Sequence, residues 1–311
     1  MAKPPQQTLL PLSLAATICW LFALHFPLAE VEKFGLSNSA RLLDIGSTFR
    51  SNQQELLGLV AELFLLVFPS LIILLLPIAS APPRTKFRGL AIRILRFART
   101  WAMPEVFALS ILVAFIKIGS LANSRVAPGF YFLLACVILL TYVMQKLQLK
   151  DAPHWKNRKT AISYIVAASA LLIPALTLPI TIIASPGGTT QSTLLGGIAE
   201  LAIHGSWGIA AVVFIASILI PIGKLGSLCW LLTLSPQKSS SPFARKTYRF
   251  IDFVGRWSML DIFLIGFLAT LIDFGPLSSI KPGPAAPAFA AAVILTVIAV
   301  ERFELPSPQS R

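Results

Sequence analysis

Long apolar blocks alternate along the chain with short polar segments. Eight blocks can be drawn, at approximately 9–28, 57–79, 102–121, 129–147, 160–184, 207–234, 259–275 and 285–300. In water, blocks of this kind need burial on every face. In a bilayer they need only be about 20 residues long. The pattern therefore predicts an all-α integral membrane protein with eight transmembrane helices. The last two blocks are short, which predicts little tilt or a locally thinned bilayer.

The polar segments set the orientation. Segment 80–101 carries Arg84, Lys86, Arg88, Arg93, Arg96 and Arg99 and no acid. Segment 146–159 carries Lys146, Lys150, Lys156, Arg158 and Lys159 against Asp151, and segment 235–256 carries Lys238, Arg245, Lys246, Arg249 and Arg256 against Asp252. Between them lie poorer or mixed segments at 29–56, 122–128, 185–206 and 276–284. The excess of Lys and Arg marks the cytoplasmic side, so the alternation predicts that both termini face the cytoplasm. Two basic segments also carry an apolar face. Phe87–Trp101 and Phe243–Trp257 both read as helices lying at the headgroup level, anchored by Arg99 and Trp101 in one and by Arg256 and Trp257 in the other.

These two segments belong to an internal repeat. RILRFARTWAMPEVF (93–107) aligns with RFIDFVGRWSMLDIF (249–263), with Trp101 opposite Trp257, Met103 opposite Met259 and Glu105 opposite Asp261, at 257 − 101 = 156. Gly119 with Gly275 and Pro128 with Pro284 keep that register. Upstream, 68–76 corresponds to 220–228 at 221 − 69 = 152, so a short length change lies between. Each half holds four spans, an even number, which makes the repeats parallel rather than inverted. The predicted modules are 1–150 and 151–311, joined by the basic stretch near 148–159.

Composition narrows the function classes. Hydrophobic residues make up 56% of the chain and charged residues 13%, against roughly 25% charged in soluble domains. A net charge of +13 would suggest nucleic acid in a soluble protein. Here the charge sits in segments between apolar spans, so nucleic acid is not an expected partner. Cys19, Cys136 and Cys229 each lie in an apolar block and form no CxxC, so they read as small hydrophobes. The histidines are isolated, and no metal or cofactor is expected. No Walker, dinucleotide-binding or nucleophile-elbow motif is present, which argues against an enzyme. The first block is long and lacks a small-residue cleavage site, so it reads as a retained helix rather than a signal peptide.

Chemistry concentrates in a few intramembrane polar residues. Lys224 lies well inside its span, three residues after Pro221. An ammonium there costs a few kcal/mol, so it should face a partner or a wet cavity, although a lysine can also snorkel to the interface. Gly223 and Gly226 would let another helix approach closely. Asp261 and Glu105 stand at equivalent positions just past their tryptophans. Two readings are open for them: pairing with nearby arginines or the helix N-terminus, or facing Lys224 and a substrate path. Glu62, Lys117 and Asp273 are weaker candidates. Segment 187–207 is Gly- and Thr-rich, then weakly amphipathic, and reads as an outer-leaflet helix.

The second half resembles the paraquat-inducible protein A family, in which an S-x-x-x-P-x-x-K helix precedes a G-R-W-S-M-x-D-x-F segment. Here these are Ser217, Pro221 and Lys224, then Gly255, Arg256, Trp257, Ser258, Met259, Asp261 and Phe263. The resemblance implies two four-helix modules in a bacterial inner (cytoplasmic) membrane. It also implies membrane lipids as cargo and a periplasmic partner with mammalian-cell-entry (MCE) domains that forms a tunnel. Family members carry cysteine-rich zinc ribbons before each module. This chain has no CxxC, so the resemblance implies a member without them. The first module departs from the pattern: FPSLIILLL lacks the lysine, and TWAMPEVF replaces the Arg, Ser and Leu-Asp positions. One working site in the second module is therefore expected, with Ser217, Pro221, Lys224, Ser258 and Asp261 as its residues and Glu105 as a first-module counterpart. The alternatives are a proton-coupled secondary transporter of a small amphiphile or ion, and a membrane anchor for a periplasmic partner that transports nothing.

Overall fold

The structure, a computed structural model, describes residues 9–33, 35–80, 87–119, 123–147, 158–185, 188–203, 205, 207–233, 256–275 and 277–302. Each of the eight predicted blocks holds a helix. In order, the elements are α1 (Leu9–His25), β1 (Ala29–Lys33), β2 (Leu36–Ala40), α2 (Asp44–Ser51), α3 (Glu55–Ser80), α4 (Arg88–Trp101), α5 (Pro104–Ile118), β3 (Asn123–Val126) and α6 (Pro128–Leu147). Then follow α7 (Arg158–Thr177), β4 (Thr181–Ser185), β5 (Gly188–Ser192), α8 (Leu194–Ile203) and α9, which runs from Trp207 to Thr233. A 3-10 turn (Arg256–Met259), α10 (Leu260–Leu271), β6 (Ser279–Pro282) and α11 (Ala285–Arg302) complete the order. Among the described residues, five stretches are long and apolar enough to cross a membrane: Glu55–Ser80, Arg88–Ile118, Pro128–Leu147, Thr160–Thr177 and Trp207–Leu231. α1, α8, α10 and α11 are shorter apolar helices.

The fold is mostly helical, but the all-α expectation needs correcting. The four poorer polar segments, with the end of the block drawn at 160–184, contain two three-stranded antiparallel sheets, ordered β2-β1-β3 and β5-β4-β6. In the first, Ala29 pairs with both Ala40 and Val126; in the second, Thr181 pairs with both Ser192 and Pro282. A period of two is present in β1, where Ala29 and Val31 are buried between the outward Glu30 and Glu32. Segment 187–207 is likewise not one helix: β5 precedes α8. The span drawn at 160–184 ends early, because its last residues form β4. A helix is present at the expected place over Phe87–Trp101, as α4. Its counterpart at Phe243–Trp257 lies outside the described residues except for its last two positions, which begin the 3-10 turn.

The chain forms two compact units. Unit 1 is Met1–Pro153 with Gly266–Gly275; unit 2 is His154–Ile265 with Pro276–Arg311. In unit 1, α1 packs on α6 and α3, and its buried residues Leu9, Ser13, Ala16, Trp20 and Ala23 are spaced alternately by four and three. In unit 2, α7 packs on α11, and its buried residues are Ala161, Ile165, Ala168, Leu172 and Ala175. Each is the α1 residue plus 152 (161 − 9 = 152). A seam of this spacing keeps one stripe facing its neighbour, and its alanines allow close approach where lipid gives apolar side chains no reason to leave it. Unit 1 also binds the C-terminal end of α10. Asn38 Nδ2 donates to the carbonyls of Thr270 and Leu271, both at 3.1 Å, and Thr270 Oγ1 donates to Thr48 Oγ1 at 3.0 Å.

The duplication extends to individual backbone bonds. In unit 1 the Ala127 amide donates to the Leu28 carbonyl and the Gly129 amide to Pro27. In unit 2 the Gly283 amide donates to Ile180 and the Ala285 amide to Pro179. These bonds tie the exit of each module's first helix to the entry of its last. At Gly129 and Gly283 the helix entry approaches the Pro27 and Pro179 carbonyls so closely that a Cβ would collide with backbone. Gly129→Ala and Gly283→Ala are each expected to destabilise the protein by about 1–3 kcal/mol, as overpacking does. Thermal unfolding in detergent measures this, and an unchanged midpoint would contradict the geometry.

Candidate functional site

The site begins with a proline. Pro221 has no amide hydrogen to give, and its ring crowds the carbonyl four residues back, that of Ser217. α9 absorbs the defect as a π turn at Ile215–Leu219, closed by the Ile220 amide donating to the Ile215 carbonyl. α3 does the same before Pro69: its π turn is Leu63–Val67, closed by the Phe68 amide and the Leu63 carbonyl. The two turns sit at 215 − 63 = 152, in register with the helical seams. The wider turn displaces backbone and side chains at this level of the span, a feature common at functional sites.

In unit 2 the π turn and the part of α9 after it pack against the 3-10 turn Arg256–Met259. That packing brings the elements bearing Ser217 and Lys224 to the element bearing Ser258, with Asp261 in the first turn of α10 just beyond. Ser217 is 0% exposed, Lys224 4%, Ser258 1% and Asp261 3%. A snorkelling lysine would leave its ammonium at the surface; Lys224 is instead covered by protein, which removes that reading. Lys224 and Asp261 both engage partners. The Ser217 and Ser258 hydroxyls have no hydrogen-bond partner among the described residues, although both are buried. Buried hydroxyls are normally satisfied, so two idle ones, on elements that also carry a buried lysine, make this corner a candidate polar niche. Pro221 is buried and shapes the niche through the π turn.

Other predicted residues fall elsewhere. Glu105, in the first turn of α5 behind Pro104, is half-buried in unit 1. The registers give first-module equivalents for the rest: 217 − 152 = 65, 224 − 152 = 72 and 258 − 156 = 102, which are Leu65, Ile72 and Ala102, all buried. The first module thus has the π turn and the proline without the polar side chains. Trp101 joins a cluster with Phe64, Phe68 and Phe97, and Arg99 and Trp257 are partly exposed. The Arg256 side chain lies outside the described residues. Gly223 and Gly226 do not serve a close helix contact: a Cβ at either meets nothing within 4 Å among the described residues. Glu62 pairs with Arg50 across α2 and α3, an ion pair that the sequence reading did not anticipate. Its signal was Gly46 and Gly58, whose missing side chains let the two helices meet beside it. Cys136 is buried, whereas Cys229 is exposed. Among the described residues no three His, Cys, Asp or Glu side chains gather as a metal site would require.

These features define a duplicated, polytopic helical membrane protein with a polar niche in its second repeat. The chain belongs to the paraquat-inducible protein A family, whose pattern matches it twice, over residues 6–157 and 159–307. It is similar to the intermembrane transport protein PqiA of Escherichia coli K12, at 28% identity over 96% of this chain and 85% of that protein. It is also similar to the lipophilic envelope-spanning tunnel protein A of the same organism, at 30% identity over 65% of this chain and 58% of that protein. A probable intermembrane transport protein of Haemophilus influenzae is 24% identical over 94% of this chain and 83% of that protein. No solved structure matches.

Ser217→Ala and Ser258→Ala separate stability from use. Neither hydroxyl has a bond to lose among the described residues, so each change should leave stability unchanged or raise it by up to about 1 kcal/mol. If the hydroxyls serve a ligand, the same variants lose function in cells. A large drop in thermal midpoint would mean that the hydroxyls hold structure instead.

Proposed function

We propose that the chain is the inner-membrane component of an MCE-type intermembrane lipid-transport system, passing lipid between the inner membrane and a periplasmic tunnel protein. In this reading eight helices span the bilayer as two parallel modules, 1–150 and 151–311, with both termini in the cytoplasm. The second module works the lipid through the niche of Ser217, Lys224, Ser258 and Asp261, with Pro221 setting its shape. The observation that supports this most is the protein-covered ammonium of Lys224 beside idle buried hydroxyls, in a family whose relatives include intermembrane transport proteins. A buried charge in a span is costly and is retained where a substrate or ion path needs it. The apolar residues at the equivalent first-module positions point to one working site.

The test is a cell lacking the chromosomal copy and carrying variants at matched abundance. Lys224→Ala and Asp261→Ala are expected to reproduce the deletion's loss of envelope integrity and altered lipid content, whereas Glu105→Ala retains most function. Wild-type behaviour of the Lys224 and Asp261 variants would refute the site. Pull-down of a periplasmic MCE-domain protein tests the partner. Reconstitution in liposomes with a pH gradient tests the competing reading, since solute flux without a partner would favour a proton-coupled transporter.

A further inference from the structure

Helix α4 carries a second polar feature, separate from the niche. Four arginines, Arg88, Arg93, Arg96 and Arg99, stand on it without an acid. Arg88 Nε donates to the Ala79 carbonyl near the end of α3, at 3.2 Å. Arg93, Arg96 and Arg99 form no ion pair among the described residues. The helix buries Ala91, Leu95 and Ala98, packs on α3, and turns Phe87, Leu90, Arg93 and Phe97 outward. At its end the Trp101 ring lies 5.6 Å from Phe64 and 6.4 Å from Phe68, and Phe97 lies 6.1 Å from Phe68. Two donors in this corner, Arg96 Nε and Trp101 Nε1, are buried and have no hydrogen-bond partner among the described residues.

Each idle donor costs free energy on the order of 1–3 kcal/mol unless something accepts from it. The missing partner must be an acceptor, and the charge that α4 itself carries is wholly positive, which favours an anion. The flanking surface is aromatic and aliphatic, which suits an acyl chain rather than a hydrated ion. We propose that α4 binds one anionic phospholipid. Arg96 and Trp101 donate to its phosphate, Arg93 and Arg99 supply charge, and a chain lies along Phe68 and Phe97. This lipid is a resident of the cytoplasmic leaflet and not the cargo of the niche, so the inference does not depend on the transport reading.

The experiment is native mass spectrometry of the full-length protein in detergent with equimolar phosphatidylglycerol and phosphatidylcholine. The wild type is expected to retain phosphatidylglycerol preferentially. Arg96→Gln and Trp101→Phe should each reduce that preference ~3- to 10-fold, the range for one lost hydrogen bond. Trp101→Phe keeps the ring and removes only the donor, so it carries the test if the arginine variant folds poorly. In a Lys224→Ala background the losses caused by Arg96→Gln and Trp101→Phe should be of the same size, which separates this site from the niche. Equal retention of the two lipids, or an undiminished preference in a folded Arg96→Gln/Trp101→Phe double variant, would overturn the proposal. Removal of the preference by millimolar inorganic phosphate would also overturn it, because the site would then take free phosphate.

Discussion

A proline in mid-span removes one backbone donor in a place where no water can replace it. Both modules are arranged around that loss. Lipid forces the backbone to satisfy itself, so Pro69 and Pro221 are tolerable only because the preceding residues rewind into π turns at Leu63–Val67 and Ile215–Leu219. Residue 65 or 217 sits inside each turn, at the carbonyl that the proline leaves without its usual donor. In the first module that residue is Leu65 and the surroundings are apolar. In the second it is Ser217, and Lys224 and Ser258 complete a polar niche. The backbone defect is common to both copies, and Ser217 and Lys224 line it in the second where Leu65 and Ile72 stand in the first.

The two compact units share more than sequence. The seam residues, the sheet order, the bonds tying first helix to last, and the π turns all keep one of two offsets, 152 or 156. The difference, 156 − 152 = 4 residues, enters between the end of α3 and the start of α4. Even the left-handed backbone between α2 and α3, at Gln53 with φ 60°, has its counterpart before α9 at Gly205 with φ 80°.

Much of this was legible from residue order. Apolar blocks near twenty residues leave few alternatives to spanning helices, and the Trp–Met–acid match exposed the repeat. Lys224 and Asp261 stood out because charge in an apolar block is expensive. The sheets were harder. Five residues such as AEVEK or GTTQS are too short for a period to stand above noise, and β1 and β4 each take one partner about a hundred residues away. The π turns were invisible, since only the proline hints at them. Whether Gly223 and Gly226 met another helix could not be read from spacing, because their side of α9 depends on the extra residue in the π turn. The Arg50–Glu62 pair was hidden for a related reason: its partners lie on two helices that the pattern did not resolve into a hairpin.

Helix α10 has a consequence for how the gene can change. Its residues up to Ile265 belong to unit 2, while Gly266–Gly275 belong to unit 1, where Thr48 and Asn38 receive them. A chain stopped after the first repeat would lack a stretch that its own unit needs. The dependence runs one way, because every residue of unit 2 comes from the second repeat. A substitution in Gly266–Gly275 is therefore felt in the packing of unit 1, although the second repeat encodes those residues.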